Sequence, residues 1–271
     1  MNRADRLLPS MRLVERVLAA DVSYTISRMR VLERIPGNPM GIAYRWIGES
    51  AVALASRFLP SFTRVVGLRP GHERHIEPLV NWYRECGITP KFELVPGMYD
   101  ASLGRELARL GLFPSGFHAS LIGEPYPPET SDKNIDIELV DSADAMEPYL
   151  EAYVAGWGIA EKDQAQFKSN VRPWRDQSGW SLYLARMEGR PAAAATLYVN
   201  AGIGYLADAA TAPAFRRHGL HIALLRRRIR DAGVAGVDFV FSGAAPMTTS
   251  HRNMERAGLR LQFTRANWTP I

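Results

Sequence analysis

The sequence predicts a mixed α/β protein built from two similar domains, and three observations predict it. The chain has 271 residues, more than the roughly 100–150 of a usual single domain. Apolar residues recur with period two in some stretches and three to four in others, so strands and helices alternate. One helix–strand–helix–strand order also occurs twice. Leu79–Ile88 parallels Leu225–Val234, with Gly87 and Gly233 ending each helix 146 positions apart, and Arg105–Leu112 parallels Arg252–Leu259 at an offset of 147, Gly111 to Gly258.

Taken in order, the first element is an amphipathic helix around Val17–Ala20, where Arg12, Glu15, Arg16 and Asp21 interrupt the apolar residues. That interruption is not the apolar core of a signal peptide. The helix over Leu79–Ile88, a strand at Lys91–Leu94 and the helix over Arg105–Leu112 follow. Gly123–Ser131 is rich in proline and polar residues and has no periodicity, as a linker should. Residues 1–122 are therefore expected to form one domain, 123–134 a linker and 135–271 the second domain.

Downstream, Ile135–Val140 reads as a strand, and Ala143–Trp157 and Glu161–Asn170 as helices. Trp180–Met187 and Ala192–Val199 are strands around a hairpin turn at Glu188-Gly189-Arg190. Ile203–Thr211 is a strand feeding a glycine-containing basic loop, and Gly219–Ala232 is the helix behind it. Val237–Phe241, Thr249–Ala257 and Arg260–Trp268 give a strand–helix–strand ending.

The loop is the most informative segment: Thr211-Ala212-Pro213-Ala214-Phe215-Arg216-Arg217-His218-Gly219-Leu220-His221. A helix N-terminus leaves backbone N–H groups unpaired at the positive end of the helix dipole. A loop that aims successive N–H groups at one point is an anion cradle suited to a pyrophosphate. Gly219 permits close approach, and Arg216 and Arg217 add charge. The segment resembles the acyl-CoA loop of the GNAT superfamily of N-acetyltransferases, Arg/Gln-x-x-Gly-x-Gly/Ala: Arg216 and Gly219 match, while His221 stands where Gly or Ala is usual. The resemblance implies two tandem GNAT-like domains. At the 146-residue offset, Arg216 falls on Pro70, Gly219 on Glu73 and His221 on His75. A carboxylate there would repel a phosphate, so the N-terminal copy reads as degenerate, shaping the substrate side or an interface.

The resemblance also implies a site. Arg216, Arg217, His218, Gly219, Leu220 and His221 would hold acetyl-CoA as co-substrate, with Asn253 nearby. Ala209, Ala210 and Thr211, facing Phe241 and Ser242, would carry the backbone N–H that polarises the thioester. Asp208 is the candidate base that deprotonates the amine, through water since Asp is shorter than the usual Glu; a structural Asp paired with an arginine of the N-terminal half is the plainer reading. Strand alternation places Leu206, Asp208 and Ala210 on one face. The family's proton-donating tyrosine is replaced by Met254, which cannot donate, although a thiol's solution pKa near 8.5 makes its thiolate a tolerable leaving group. Ser250 and His251 could contact the cofactor sulfur or the pantetheine arm, and Tyr205 is a further candidate proton donor; a helix-surface position is the plainer reading of His251, and a packed aromatic that of Tyr205.

Composition narrows the alternatives. The formal net charge is +5 and Cys86 is the single cysteine, so no intrachain disulfide exists and a cytoplasmic location is the default. No apolar run approaches the roughly 18 residues of a membrane span. Arg226-Arg227-Arg228 reads as a solvated helix face, and nucleic acid is disfavoured as a partner. His72-Glu73-Arg74-His75 is one residue short of a zinc-protease helix motif, so no metal site is expected. Trp157, Trp174 and Trp180 read as core or interface residues. Asn267-Trp268-Thr269 matches a glycosylation sequon without a secretion signal. The expected reaction is direct transfer of acetyl from acetyl-CoA to a primary amine of a small molecule bound in the groove between the halves. The alternatives are a non-catalytic acyl-CoA sensor or interaction protein on a decayed GNAT pair and, last, a basic nucleic-acid binder.

Overall fold

A computed structural model describes Leu7 and residues 10–57, 62–126 and 135–271. The chain packs as two units that are not contiguous in sequence: residues 1–120, 243–246 and 261–271 form the first, and 121–242 with 247–260 the second. This differs from a division at residues 122 and 135, because the last eleven residues pack with the first unit. Of the expected linker, Gly123 ends a strand, 124–126 are irregular, and 127–134 lie outside the described residues.

The first unit opens on helix α1 (Met11–Glu33), capped by Ser10, whose hydroxyl accepts from Leu13 N–H. Strands β1 (Ala43–Ile47), β2 (Ala51–Ala55) and β3 (Arg64–Val66) follow, then α2 (Ile76–Glu85), β4 (Phe92–Leu94), α3 (Ala101–Arg109) and β5 (Leu112–Gly123). Its strand order is β1-β2-β3-β4-β11-β5, where β11 (Arg260–Pro270) is the final strand of the chain and pairs antiparallel with β4, Ala266 opposite Leu94 and Trp268 opposite Phe92. On one face Ile76, Leu79, Tyr83, Leu103 and Leu107 close a core with Phe92 and Trp268. On the other, α1 buries a charged group: Asp21 is 1% exposed and bonds Arg64 at 3.0 Å and Arg265 of β11; Glu93 bonds Arg64 at 3.0 Å and Arg265 at 3.5 Å.

The second unit contains β6 (Asp136–Leu139), α4 (Ala143–Trp157), α5 (Glu161–Val171), β7 (Trp180–Met187), β8 (Arg190–Asn200), β9 (Ile203–Thr211), α6 (Leu220–Val234), β10 (Phe239–Ala244) and α7 (Thr249–Arg256). Its strand order is β10-β9-β8-β7-β6. The hairpins β7–β8 and β8–β9 each turn on two residues with positive φ, Glu188 (51°) with Gly189 (74°) and Ala201 (48°) with Gly202 (72°). These are the mirror-image turns whose twist matches that of paired strands. Parallel β9 and β10 are joined through α6, as a parallel pair requires. Trp174 and Trp180 are buried in an aromatic row with Tyr153 and Tyr198, whereas Trp157 is exposed. Among the described residues no helix is long and apolar enough to cross a membrane, and no group of three His, Cys, Asp or Glu could hold a metal.

Candidate active site

Alanines prepare the site. Ala192, Ala193, Ala194 and Ala195 of β8 are fully buried, so a helix can lie close to the sheet. At Gly156 of α4 an added Cβ would sit 2.7 Å from Ala210 Cβ and 3.0 Å from Thr211 N. The helix thus approaches β9 at the residues expected to face the thioester.

β9 is not a regular strand there. Thr196 pairs with Ala207 and Ala194 with Ala210, so Asp208 and Ala209 together oppose Ala195 alone. This is a β-bulge. Asp208 is its first residue, with φ 48°, a left-handed conformation that Asp tolerates better than most side chains. The expected alternation of Leu206, Asp208 and Ala210 on one face is therefore broken, because the extra residue resets which way each side chain points. Asp208 and Ala209 are half-buried, while Leu206 and Ala210 are buried.

β9 also parts from β10. Their ladder runs from Ile203–Phe239 to Tyr205–Phe241, whose rings stack at 4.3 Å, and stops. One residue on, the buried Ser242 hydroxyl donates to Leu206 C=O at 2.7 Å. Ser242 thus seals the point where the strands separate, and its hydroxyl is already committed to a backbone carbonyl.

Beyond Thr211 the chain turns through Pro213–Phe215, and Arg216 Nε donates to Thr211 C=O at 3.3 Å. Arg217 (φ 69°) and Gly219 (φ 80°) both lie in the left-handed region, and Gly219 caps α6. A Cβ at Gly219 would have room, its nearest neighbour being Ile135 at 4.0 Å; the glycine is needed for its φ. Among the described residues, no protein acceptor takes the backbone N–H of Arg217, His218, Gly219, Leu220, His221 or Ile222, the first intrahelical bond being Ala223 N–H to Gly219 C=O at 3.0 Å. Arg216, Arg217 and His218 are exposed around these donors. Free donors, positive charge and the amino end of a 15-residue helix suit a pyrophosphate.

The corresponding loop of the first unit differs in hydrogen bonding. His72 N–H bonds Arg69 C=O, His75 N–H bonds His72 C=O, and Ile76 N–H bonds Glu73 C=O, closing a 3-10 turn ahead of α2. The Ser102 hydroxyl donates to Glu73 and holds its carboxyl below the usual range. Three of this loop's backbone donors thus have acceptors within the unit, and a carboxylate already stands there.

Two sequence expectations change. Arg226 is exposed and Arg227 half-buried, donating to Ile137 C=O at 2.6 Å, but Arg228 is completely buried, so the triplet is not a solvated face. Burial lowers the pKa of Arg228 to about 10. His251 is buried rather than on a helix surface: its Nδ1 accepts from Met247 N–H at 3.0 Å, closing the turn (Met247 φ 61°) before α7. His221 turns towards α7, its Nδ1 3.2 Å from Asn253 Nδ2, while its backbone stays in the loop. Burial, then the Arg228 charge, push its pKa down to about 4, so its ring is neutral near pH 7. Ser250 is half-buried in the first turn of α7, and Met254, where the family tyrosine would stand, is core. Arg228 escaped sequence reasoning, though it interrupts the apolar face of Leu224, Leu225 and Ile229; that interruption was the available signal.

Residues 129–246 match the family model for the acetyltransferase (GNAT) domain. Among solved structures, the chain is similar to a GCN5-related N-acetyltransferase from Kribbella flavida at 18% identity, covering 96% of each chain with a TM-score of 0.69. A GCN5-related N-acetyltransferase from Sphaerobacter thermophilus shares 17% identity over 83% of this chain and 81% of its own, with a TM-score of 0.60. A tandem GNAT protein from the clavulanic acid biosynthesis pathway shares 14% identity over 92% of this chain and 95% of its own, at 0.58. No curated protein matches the chain. The architecture is thus the one found in tandem GNAT structures.

Proposed function

From a chain that carries a GNAT acetyltransferase domain, we propose that its second unit transfers acetyl from acetyl-CoA directly to a primary amine of a small molecule. One observation carries this reading: six successive backbone N–H groups, Arg217 to Ile222, stand without acceptors at the amino end of α6 beside two exposed arginines. Acetyl-CoA supplies an activated thioester as co-substrate. Arg216, Arg217 and the N–H groups of His218, Gly219, Leu220 and His221 hold its pyrophosphate, and the Asn253 amide steadies the His221 ring.

The parted β9 and β10 admit the pantetheine arm, and a backbone N–H of the stretch Ala209, Ala210, Thr211 stabilises charge on the carbonyl oxygen. Asp208 takes the amine proton through a water, and Ser250 meets the departing sulfur. Ser242 keeps the strands joined up to the opening. The first unit, with its closed loop and Glu73, binds no acyl-CoA.

The buried Met254 favours a second reading, a non-catalytic acyl-CoA-binding protein, and one experiment separates them. Calorimetry with acetyl-CoA is expected to find one site per chain, lost in an Arg216→Ala, Gly219→Glu double variant. Asp208→Asn is expected to keep the affinity and lose transfer to amines by about 10²–10⁴-fold. Two sites would restore the first unit as a binder, binding without transfer would favour the sensor, and no binding at millimolar ligand would sink both.

A further inference from the structure

Arg228 is an anomaly of α6. Its neighbours on the buried face, Leu224, Leu225, Ile229 and Ala232, are apolar as a core-facing stripe should be, yet Arg228 is 0% exposed and, among the described residues, forms no ion pair within 4 Å. Its donors go to carbonyls: Nε to Leu224 at 3.0 Å, Nη1 to Thr196 at 2.8 Å and to Ala207 at 3.0 Å. Nη2 has no partner. A buried guanidinium is costly to keep, so a position that breaks the local pattern calls for a compensating role.

The two carbonyls that share Nη1 give the reason. Thr196 and Ala207 are the last paired residues before the bulge. A bulge interrupts the ladder one residue further on. Arg228 adds a donor to both carbonyls from outside the sheet and so ties β8 to β9 at the residue before Asp208.

We propose that Arg228 is a positioning residue for acyl transfer: by bridging Thr196 and Ala207 it holds the bulge open and so sets the direction of Asp208 and of the Ala209 and Ala210 N–H groups. The proposal rests on the acyltransferase reading for its kinetic consequence, but not for its structural one. The bridge lies on the inner face of α6, away from the donors at its amino end, so cofactor binding and transfer respond differently to its loss.

The test compares wild type with R228M, R228K and, as a control on the exposed side of the same helix, R226M. Amide hydrogen exchange over residues 204–211 is read first. It is expected to accelerate at least tenfold at Ala209 and Ala210 in R228M, to a smaller extent in R228K, and not in R226M. With acetyl-CoA and an amine acceptor, R228M is expected to keep its KM for acetyl-CoA while kcat falls about 10²-fold, the effect of an ångström-scale misplacement. R228K, which can still donate to both carbonyls, recovers part of it. If R228M does not fold, R228K carries both readouts. Unchanged exchange at the bulge, or a loss of folded protein with kcat per folded molecule unaltered, would overturn the proposal. A wild-type protein that transfers nothing would sink the acyltransferase reading alone, because exchange still decides whether Arg228 holds the bulge.

Discussion

His221 shows how a bulky side chain can stand in a glycine-containing loop without occupying it. Its side chain lies against Asn253 on α7, and its backbone N–H remains among the donors of the loop. Because burial lowers its pKa from near 6.5 to about 4, the unfolded chain takes up the proton first as pH falls. The stability owed to the neutral ring is therefore complete above about pH 6.5 and lost as pH falls towards 4. His221→Ala is expected to flatten that part of the pH dependence of thermal unfolding. Its acetyl-CoA affinity at pH 7.5 should change by no more than about 0.5 kcal/mol, as for substitutions that remove no specific contact; a tenfold weakening would mean that the ring itself touches the ligand. The loop was legible in the sequence because glycine and arginine have local roles. The direction of the His221 ring was not, since it depends on an asparagine 32 positions away.

At the scale of elements, the strands and helices of residues 135–271 follow from periodicity and turn chemistry to within three residues at each end, while β9 conceals its bulge. An alternating run of small apolar residues reads as an unbroken strand, and only the pairing with β8 reveals that Asp208 and Ala209 share one partner. Short strands β1, β2 and β3 gave no comparable signal in the first half, where three to five residues are too few to display a period. The close approach of α4 to β9 was likewise invisible, because a glycine inside a helix has several explanations. Gly156→Ala is expected to cost about 1–3 kcal/mol, as overpacking does, read as a lower denaturant midpoint with an unchanged slope. A stability equal to wild type would mean that α4 moves freely away from Ala210.

For the whole molecule, the decisive feature is the return of β11 to the first unit, where Arg265 joins Asp21, Glu93 and Arg64. Burial would raise the Asp21 pKa, but Arg64 and Arg265 outweigh it and hold it at about 2. A carboxylate depressed in this way contributes its stability above the unfolded value near 3.9, and that contribution is lost as pH falls through about 2. Asp21→Asn breaks the group and strands buried arginine charge, at an expected cost of about 3–5 kcal/mol at pH 7. Thermal unfolding across pH should show the gap to wild type shrinking between about pH 4 and pH 2. A gap that is constant with pH would refute the ionic account of this core.

The sequence alone shows the alternation of helices and strands, the internal repeat, the hairpin turn at Glu188-Gly189-Arg190 and the glycine-containing basic loop before a helix, because each is written in residues a few positions apart. Only the folded chain shows that the last strand pairs with β4, that β9 carries a bulge, that Arg228 is buried beside it and that three donors of the first unit's loop bond within that unit. Each of these depends on which distant groups meet. A buried carbonyl needs a donor from somewhere, and only the assembled fold says which residue is near enough to supply it.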